Sequence, residues 1–174
     1  NCFYMADEPF LFAPPYGVDY PTFDKLVKLV EFKNKYYPTH YFHMNMVPSS
    51  SFDHYYVDNK IPLNYKDFIQ KYIDIIASKV VGPVSICLDN YPFIGFKYIE
   101  PDYRQDLITV SYLAHKFKKE NNPEARFGMC IQTFFATSTR DPNLKRDIVC
   151  KEEVSFQINV AASLGAELLE FFAY

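Results

Sequence analysis

Val84-Ser85-Ile86-Cys87-Leu88-Asp89-Asn90-Tyr91-Pro92-Phe93 is an apolar run of five residues that breaks at once into two polar residues and a proline turn. A run this short, closed by turn residues, reads as a buried β-strand with a loop at its carboxyl end. Outward in both directions the same signal recurs at Cys2 to Ala6, Tyr41 to Val47, Phe127 to Ile131 and Leu168 to Ala173. Successive runs begin about 40 residues apart, long enough for a helical crossover between parallel strands.

The intervening segments carry helical spacing. Phe23, Leu26, Val27 and Val30 form the first apolar stripe, with Asp24/Lys28 and Glu31/Lys35 as i,i+4 pairs. The second has Tyr65, Phe68, Ile69, Tyr72, Ile73 and Ile76, opened by Asn64. In the third, Leu107, Val110, Ala114 and Phe117 follow Asp102 and Gln105, which are placed as a variant capping box. Val154, Ile158, Ala161 and Ala162 make the fourth, closed by Gly165.

Strict alternation of strand and helix fits a doubly wound sheet or a (β/α)8 barrel, and in both the site lies at the carboxyl ends of the strands. Those ends are polar and proline-rich here: Asp7-Glu8-Pro9, Asn45-Met46-Val47-Pro48, Asp89-Asn90-Tyr91-Pro92 and Gln132-Thr133. The loops entering the strands, such as Tyr37-Pro38-Thr39 and Val81-Gly82-Pro83, are short. Five strands and four helices are too few to close a barrel. The expectation is therefore one α/β domain over residues 1–174, the C-terminal half (strands 4 to 8) of a (β/α)8 TIM barrel. Strands 1 to 3 would be supplied from outside this sequence, and the inner strand faces would be exposed without them.

Composition narrows the function. With 18 Lys and Arg against 21 Asp and Glu, and no basic stripe, the electrostatic drive for nucleic-acid binding is missing. No apolar run approaches the roughly 18 residues of a membrane span, and the first residues carry no signal-like pattern. Five scattered glycines cannot form a phosphate cradle, which disfavours nucleotide chemistry. Cys2, Cys87, Cys130 and Cys150 are separated by 85, 43 and 20 residues, so no CxxC pair exists; structural zinc is not expected, and Cys87 and Cys130 read as reduced core residues. No cofactor is implied.

Alternation along the strands groups candidate residues by face. Tyr4, Ala6 and Glu8 share one, as do His43 with Asn45, Ser85 with Cys87 and Asp89, and Gly128 with Cys130 and Gln132. On the last strand, Glu170 with Phe172 or Leu169 with Phe171 faces inward. Glu8 and Asp89 end strands separated by one other, so both are candidates for the same mouth. Two facing carboxylates are the working pair of a glycosidase, one protonating the leaving oxygen while the other attacks or activates water. Carboxylates beside proline also close turns, and that reading stays open for both.

Ala6-Asp7-Glu8-Pro9 resembles the Asn-Glu-Pro signature ending strand 4 of clan A glycoside hydrolases. Asn45-x-x-Pro48, Leu88-Asp89-Asn90-Tyr91-Pro92-Phe93 and Glu170-Phe171-Phe172-Ala173-Tyr174 are similar to bacterial barrels related to glycoside hydrolase family 42, the β-galactosidase-like group. The resemblance spans nearly the whole chain. It implies Glu8 as general acid/base, an oligosaccharide or polysaccharide substrate, and sugar contacts from Asn45, His43, Tyr91, Gln132 and Phe93. One departure matters: where that clan carries a nucleophilic Glu on strand 7, this chain has Cys130-Ile131-Gln132-Thr133, and Gln132 cannot form a glycosyl ester. Asp89 is the favoured second carboxylate, with Glu170 or a barrel that has lost hydrolysis as alternatives.

The first rival is a catalytically inactive carbohydrate-binding barrel. A lyase or aldolase would need a strand-end lysine for Schiff-base chemistry, but Lys79, Lys97 and Lys151 fall in helices or loops. His40, His43, His54 and His115 have no spacing that assembles three ligands, so no metal is assigned. The loops Phe10 to Thr22 and Pro48 to Asn64 are candidates for shaping a cleft.

Overall fold

The computed structural model describes residues 2–6, 23–46, 48–49, 64–93, 101–133 and 150–172. Among them lie five strands, β1 (Cys2–Ala6), β2 (Tyr41–Met46), β3 (Val84–Leu88), β4 (Arg126–Gln132) and β5 (Leu168–Phe172). Four helices alternate with them: α1 (Phe23–Tyr36), α2 (Tyr65–Lys79), α3 (Pro101–Glu120) and α4 (Lys151–Ser163). All strand pairs are parallel and the sheet order is β1-β2-β3-β4-β5.

Sequential order sets aside one of the two architectures left open by the sequence and is compatible with a partial barrel. A doubly wound sheet reverses direction at a switch point; this one does not, so right-handed crossovers place every helix on the same face. Phe42, Val84, Ile86, Leu88, Phe127 and Met129 point to that face, joining Leu26, Val30, Phe68, Tyr72, Ile76, Val110 and Phe117 in one core. Each such fully buried side chain contributes about 1.5–3 kcal/mol relative to exposure.

Residues of the other parity, His43, Asn45, Ser85, Cys87, Cys130 and Gln132, face away from the helices. All six are buried, which corrects the expectation that the inner face would lie open. Curl of the sheet is the reason. His43 on β2 meets Glu170 on β5 at 2.8 Å although two strands lie between them. In a flat sheet those strands would be about 14 Å apart, at roughly 4.8 Å per step. The inner side chains of the curled sheet therefore fill one another's space.

Helix ends follow local chemistry. Asn64 caps α2 by accepting from the Asp67 N–H at 2.9 Å, and Gly165, at φ +73°, follows the last turn of α4. The α3 expectation is corrected: the helix begins at Pro101, so Asp102 lies in its first turn rather than at the cap, and Gln105 donates to Thr109 at 3.2 Å. Proline suits that first position because its missing N–H has no partner to lose there.

At the amino ends of the strands, backbone groups are tied together. Lys33 donates to the carbonyls of Pro38 (3.0 Å) and Val81, and Asn122 donates to Gly82 O at 2.9 Å. A cavity of about 650 Å³ opens at this end, bordered by Tyr41, Gly82, Arg126 and the Lys118–Glu167 ion pair.

Candidate functional site at the carboxyl ends of the strands

The polar side chains of the inner face are arranged in layers set by strand register. Ser85 pairs with His43, Cys87 with Asn45, Gly128 with Cys87, and Glu170 with Cys130. Asp89 donates its N–H to Met46 O at 3.0 Å, continuing the ladder one residue past β3. The same register, extended by that residue, places Asp89 beside Cys130, with Glu170 on the far side. One layer at the sheet's carboxyl end thus carries Asp89, Cys130 and Glu170.

His43 is the hub beneath them. Its Nδ1 lies 2.5 Å from Ser85 Oγ, while its Nε2 faces both Asn45 Oδ1 (3.2 Å) and Glu170 Oε1 (2.8 Å). Burial raises the Glu170 carboxyl, but hydrogen bonds from His43 and Asn45, with the imidazole's charge, more than offset it and hold the group below its ordinary value. On its other side Glu170 Oε2 accepts from Cys130 Sγ at 3.8 Å, and Cys130 Sγ lies 3.9 Å from Cys87 Sγ. For Cys87 the Cys130 hydrogen bond lowers the thiol pKa, but burial and the charges of Glu170 and Asp89 win and raise it. Cys130 is also raised, by its bond with Cys87, by burial and by the same two carboxylates.

Gln132, the residue the resemblance sets where clan A would carry its nucleophile, is a brace. Its Oε1 accepts from Phe93 N–H (3.1 Å) and its Nε2 donates to Phe93 O (3.3 Å), fastening the loop after β3 to β4. Gln157 on α4 holds the Gln132 backbone in turn, accepting from its N–H at 2.8 Å and donating to its carbonyl at 3.1 Å. Tyr91 and Phe93 are half-buried, and Phe93 meets Phe156 edge-on at 6.2 Å. Asp89 is 2% exposed, Asn45 and His43 no more than 1%.

Glu8, Asp7 and nearly all of the two long loops lie outside the described residues. The backbone before Glu8 is informative nevertheless. Tyr4 pairs with His43 and Ala6 with Met44, a register shift that interrupts the simple alternation used to group Glu8 with Tyr4. Such bulges re-aim the residues that follow.

Asp106 was not among the sequence candidates. It is buried on α3 and accepts from Ser49 N–H and Asn90 Nδ2, each at 2.9 Å, so one carboxylate anchors the segments after β2 and β3. Its position on the apolar stripe next to Leu107 was the available signal. The histidines stay apart: His115 lies beside Leu164 O at 2.8 Å on the outer layer, His40 precedes β2, and His54 lies outside the described residues.

No family model matches the chain, and neither a curated protein nor a solved structure was found that matches it. Among the described residues no helix is long and apolar enough to cross a membrane.

Proposed function

We propose that this chain is the C-terminal half of a (β/α)8 barrel of the glycoside hydrolase kind, hydrolysing O-glycosidic bonds with Glu8 as general acid/base and Asp89 as nucleophile or base. The observation that carries the reading is the position of Asp89. It ends the central strand of a curled, sequentially ordered parallel sheet, at the end where barrel active sites lie, two strands from the strand that leads into Glu8. Oligosaccharide would sit over the strand ends, with the half-buried Tyr91 and Phe93 offering apolar faces to a pyranose ring. Asn45 and His43, one and two layers deeper, set Glu170 rather than reaching the substrate directly.

A second reading is favoured by Gln132. With both amide atoms engaged by Phe93, it supplies no nucleophile on β4, and a barrel that binds carbohydrate without cleaving it fits that brace equally well. Aryl glycosides together with natural oligosaccharides, assayed for turnover and by calorimetry for binding, separate the two. Turnover that falls at least about 100-fold in both Glu8→Gln and Asp89→Asn supports hydrolysis. Binding without turnover supports the binding barrel, and neither binding nor turnover across the panel refutes both.

A further inference from the structure

The inner face holds a second constellation that hydrolysis does not use. Cys87 Sγ, Cys130 Sγ and a Glu170 carboxylate oxygen lie within 4.8 Å of one another, one from each of three consecutive strands. From these positions we infer a binding site for a thiophilic divalent cation of the zinc class, with Cys87, Cys130 and Glu170 as its protein ligands and a water completing the tetrahedron.

Geometry is the main support. Tetrahedral zinc with bonds of about 2.3 Å to sulfur and 2.1 Å to oxygen separates two sulfurs by about 3.8 Å, and a sulfur from an oxygen by about 3.6 Å. The observed edges are 3.9 Å between Cys87 and Cys130, and 3.8 Å between Cys130 and Glu170 Oε2. Those two edges match the polyhedron, and the third, between Cys87 Sγ and the Glu170 oxygen, lies within 4.8 Å, so coordination asks these two side chains to draw together by up to about 1.2 Å. Gly128 makes room for it: a Cβ there would lie 3.2 Å from Cys87 Sγ and 3.1 Å from Leu168 Cβ.

The surroundings match what a metal ligand needs. Glu170 divides its two oxygens, Oε1 to His43 and Oε2 toward Cys130, so the imidazole orients the carboxylate as outer partners orient ligands in metal sites. Ser85 and Asn45 fix the imidazole in its turn. Both cysteines would bind as thiolates, releasing their protons to solvent as the cation enters. The cation would join β3, β4 and β5, bridging the layer of Asp89, Cys130 and Glu170 to Cys87 in the layer beneath it. Glu170, at 28% side-chain exposure, marks the way in.

The test uses the reduced, chelator-treated chain titrated with Co²⁺ as an optical probe and with Zn²⁺ in competition. One equivalent of Co²⁺ producing thiolate-to-metal charge-transfer absorption and tetrahedral d–d bands, bleached by Zn²⁺, is the expected result. Cys87→Ser and Cys130→Ser should each weaken binding by more than about 100-fold, and His43→Gln by about 10–100-fold through loss of orientation. Cys150→Ser, at the exposed start of α4, should leave it unchanged. Absence of the charge-transfer band in the unsubstituted chain overturns the site whether or not the variants fold. So does full-affinity binding in a Cys87→Ser chain with native circular dichroism, or conversion of the pair to a disulfide with no metal uptake after re-reduction. Because the readout is a spectrum rather than turnover, it stands or falls apart from the proposed hydrolysis.

Discussion

At the residue scale, the inner face is organised around the contact between His43 Nε2 and Glu170 Oε1 at 2.8 Å. Because the folded Glu170 carboxyl titrates below its ordinary value, its contribution to stability is complete above the unfolded value of about 4.3 and is lost as pH falls through the folded value. In the metal-free chain, Glu170→Gln should therefore be less stable than the parent near neutrality and converge with it as pH falls through the folded carboxyl's value. Urea midpoints measured from pH 3 to 7 check this, and parallel curves across the range would contradict it. Gly128→Ala is a steric counterpart. A methyl group 3.1–3.2 Å from Leu168 and Cys87 overpacks the layer and should cost about 1–3 kcal/mol in urea unfolding. Alternation along the strands already grouped Gly128 with Cys130, and Ser85 with Cys87. That Cys130 would meet Cys87, whose register partner is Gly128, was not legible, because it depends on a lean across neighbouring strands that no single strand encodes.

At the scale of the element, the chain's own chemistry accounts for most of what is seen. Four of the five strand runs match to within a residue at either end, and the fifth, β1, matches in extent while its bulge went unseen. A bulge inserts one residue without changing the apolar pattern, so composition cannot announce it. Asn64→Ala should destabilise α2 by about 1 kcal/mol, since the Asp67 N–H loses its acceptor. Gly165→Ala should cost about 1–2 kcal/mol: its φ of +73° disfavours a Cβ, and that atom would sit 3.1 Å from the His115 ring. Thermal unfolding followed by circular dichroism reads both, and an unchanged midpoint in either variant would contradict the cap assignment. Gln132 illustrates where reading along the chain stops. Its identity showed that β4 carries no nucleophile, but its service as a clamp on Phe93, backed by Gln157, depends on a contact 39 residues away in sequence.

At the scale of the whole molecule, the repeat spacing implied parallel strands with helical crossovers but left two architectures open, since both share that local pattern. Strand order resolves them into a singly wound sheet, and the contact between β2 and β5 side chains shows that the sheet curls. Curl is a collective property of twist and inner-face packing, which explains why burial of the inner residues was not anticipated from the sequence. The same curl would bring the carboxyl ends of β1 and β3 to face one another across a mouth, and the proposed hydrolysis depends on that. The most direct test is the separation of the Glu8 and Asp89 carboxyl groups, measured crystallographically. Both carboxyl groups should face the mouth at about 5–10 Å, with about 5–5.5 Å indicating retention and about 6.5–9.5 Å inversion. A wider separation, or either carboxylate turned toward the helices, would contradict it.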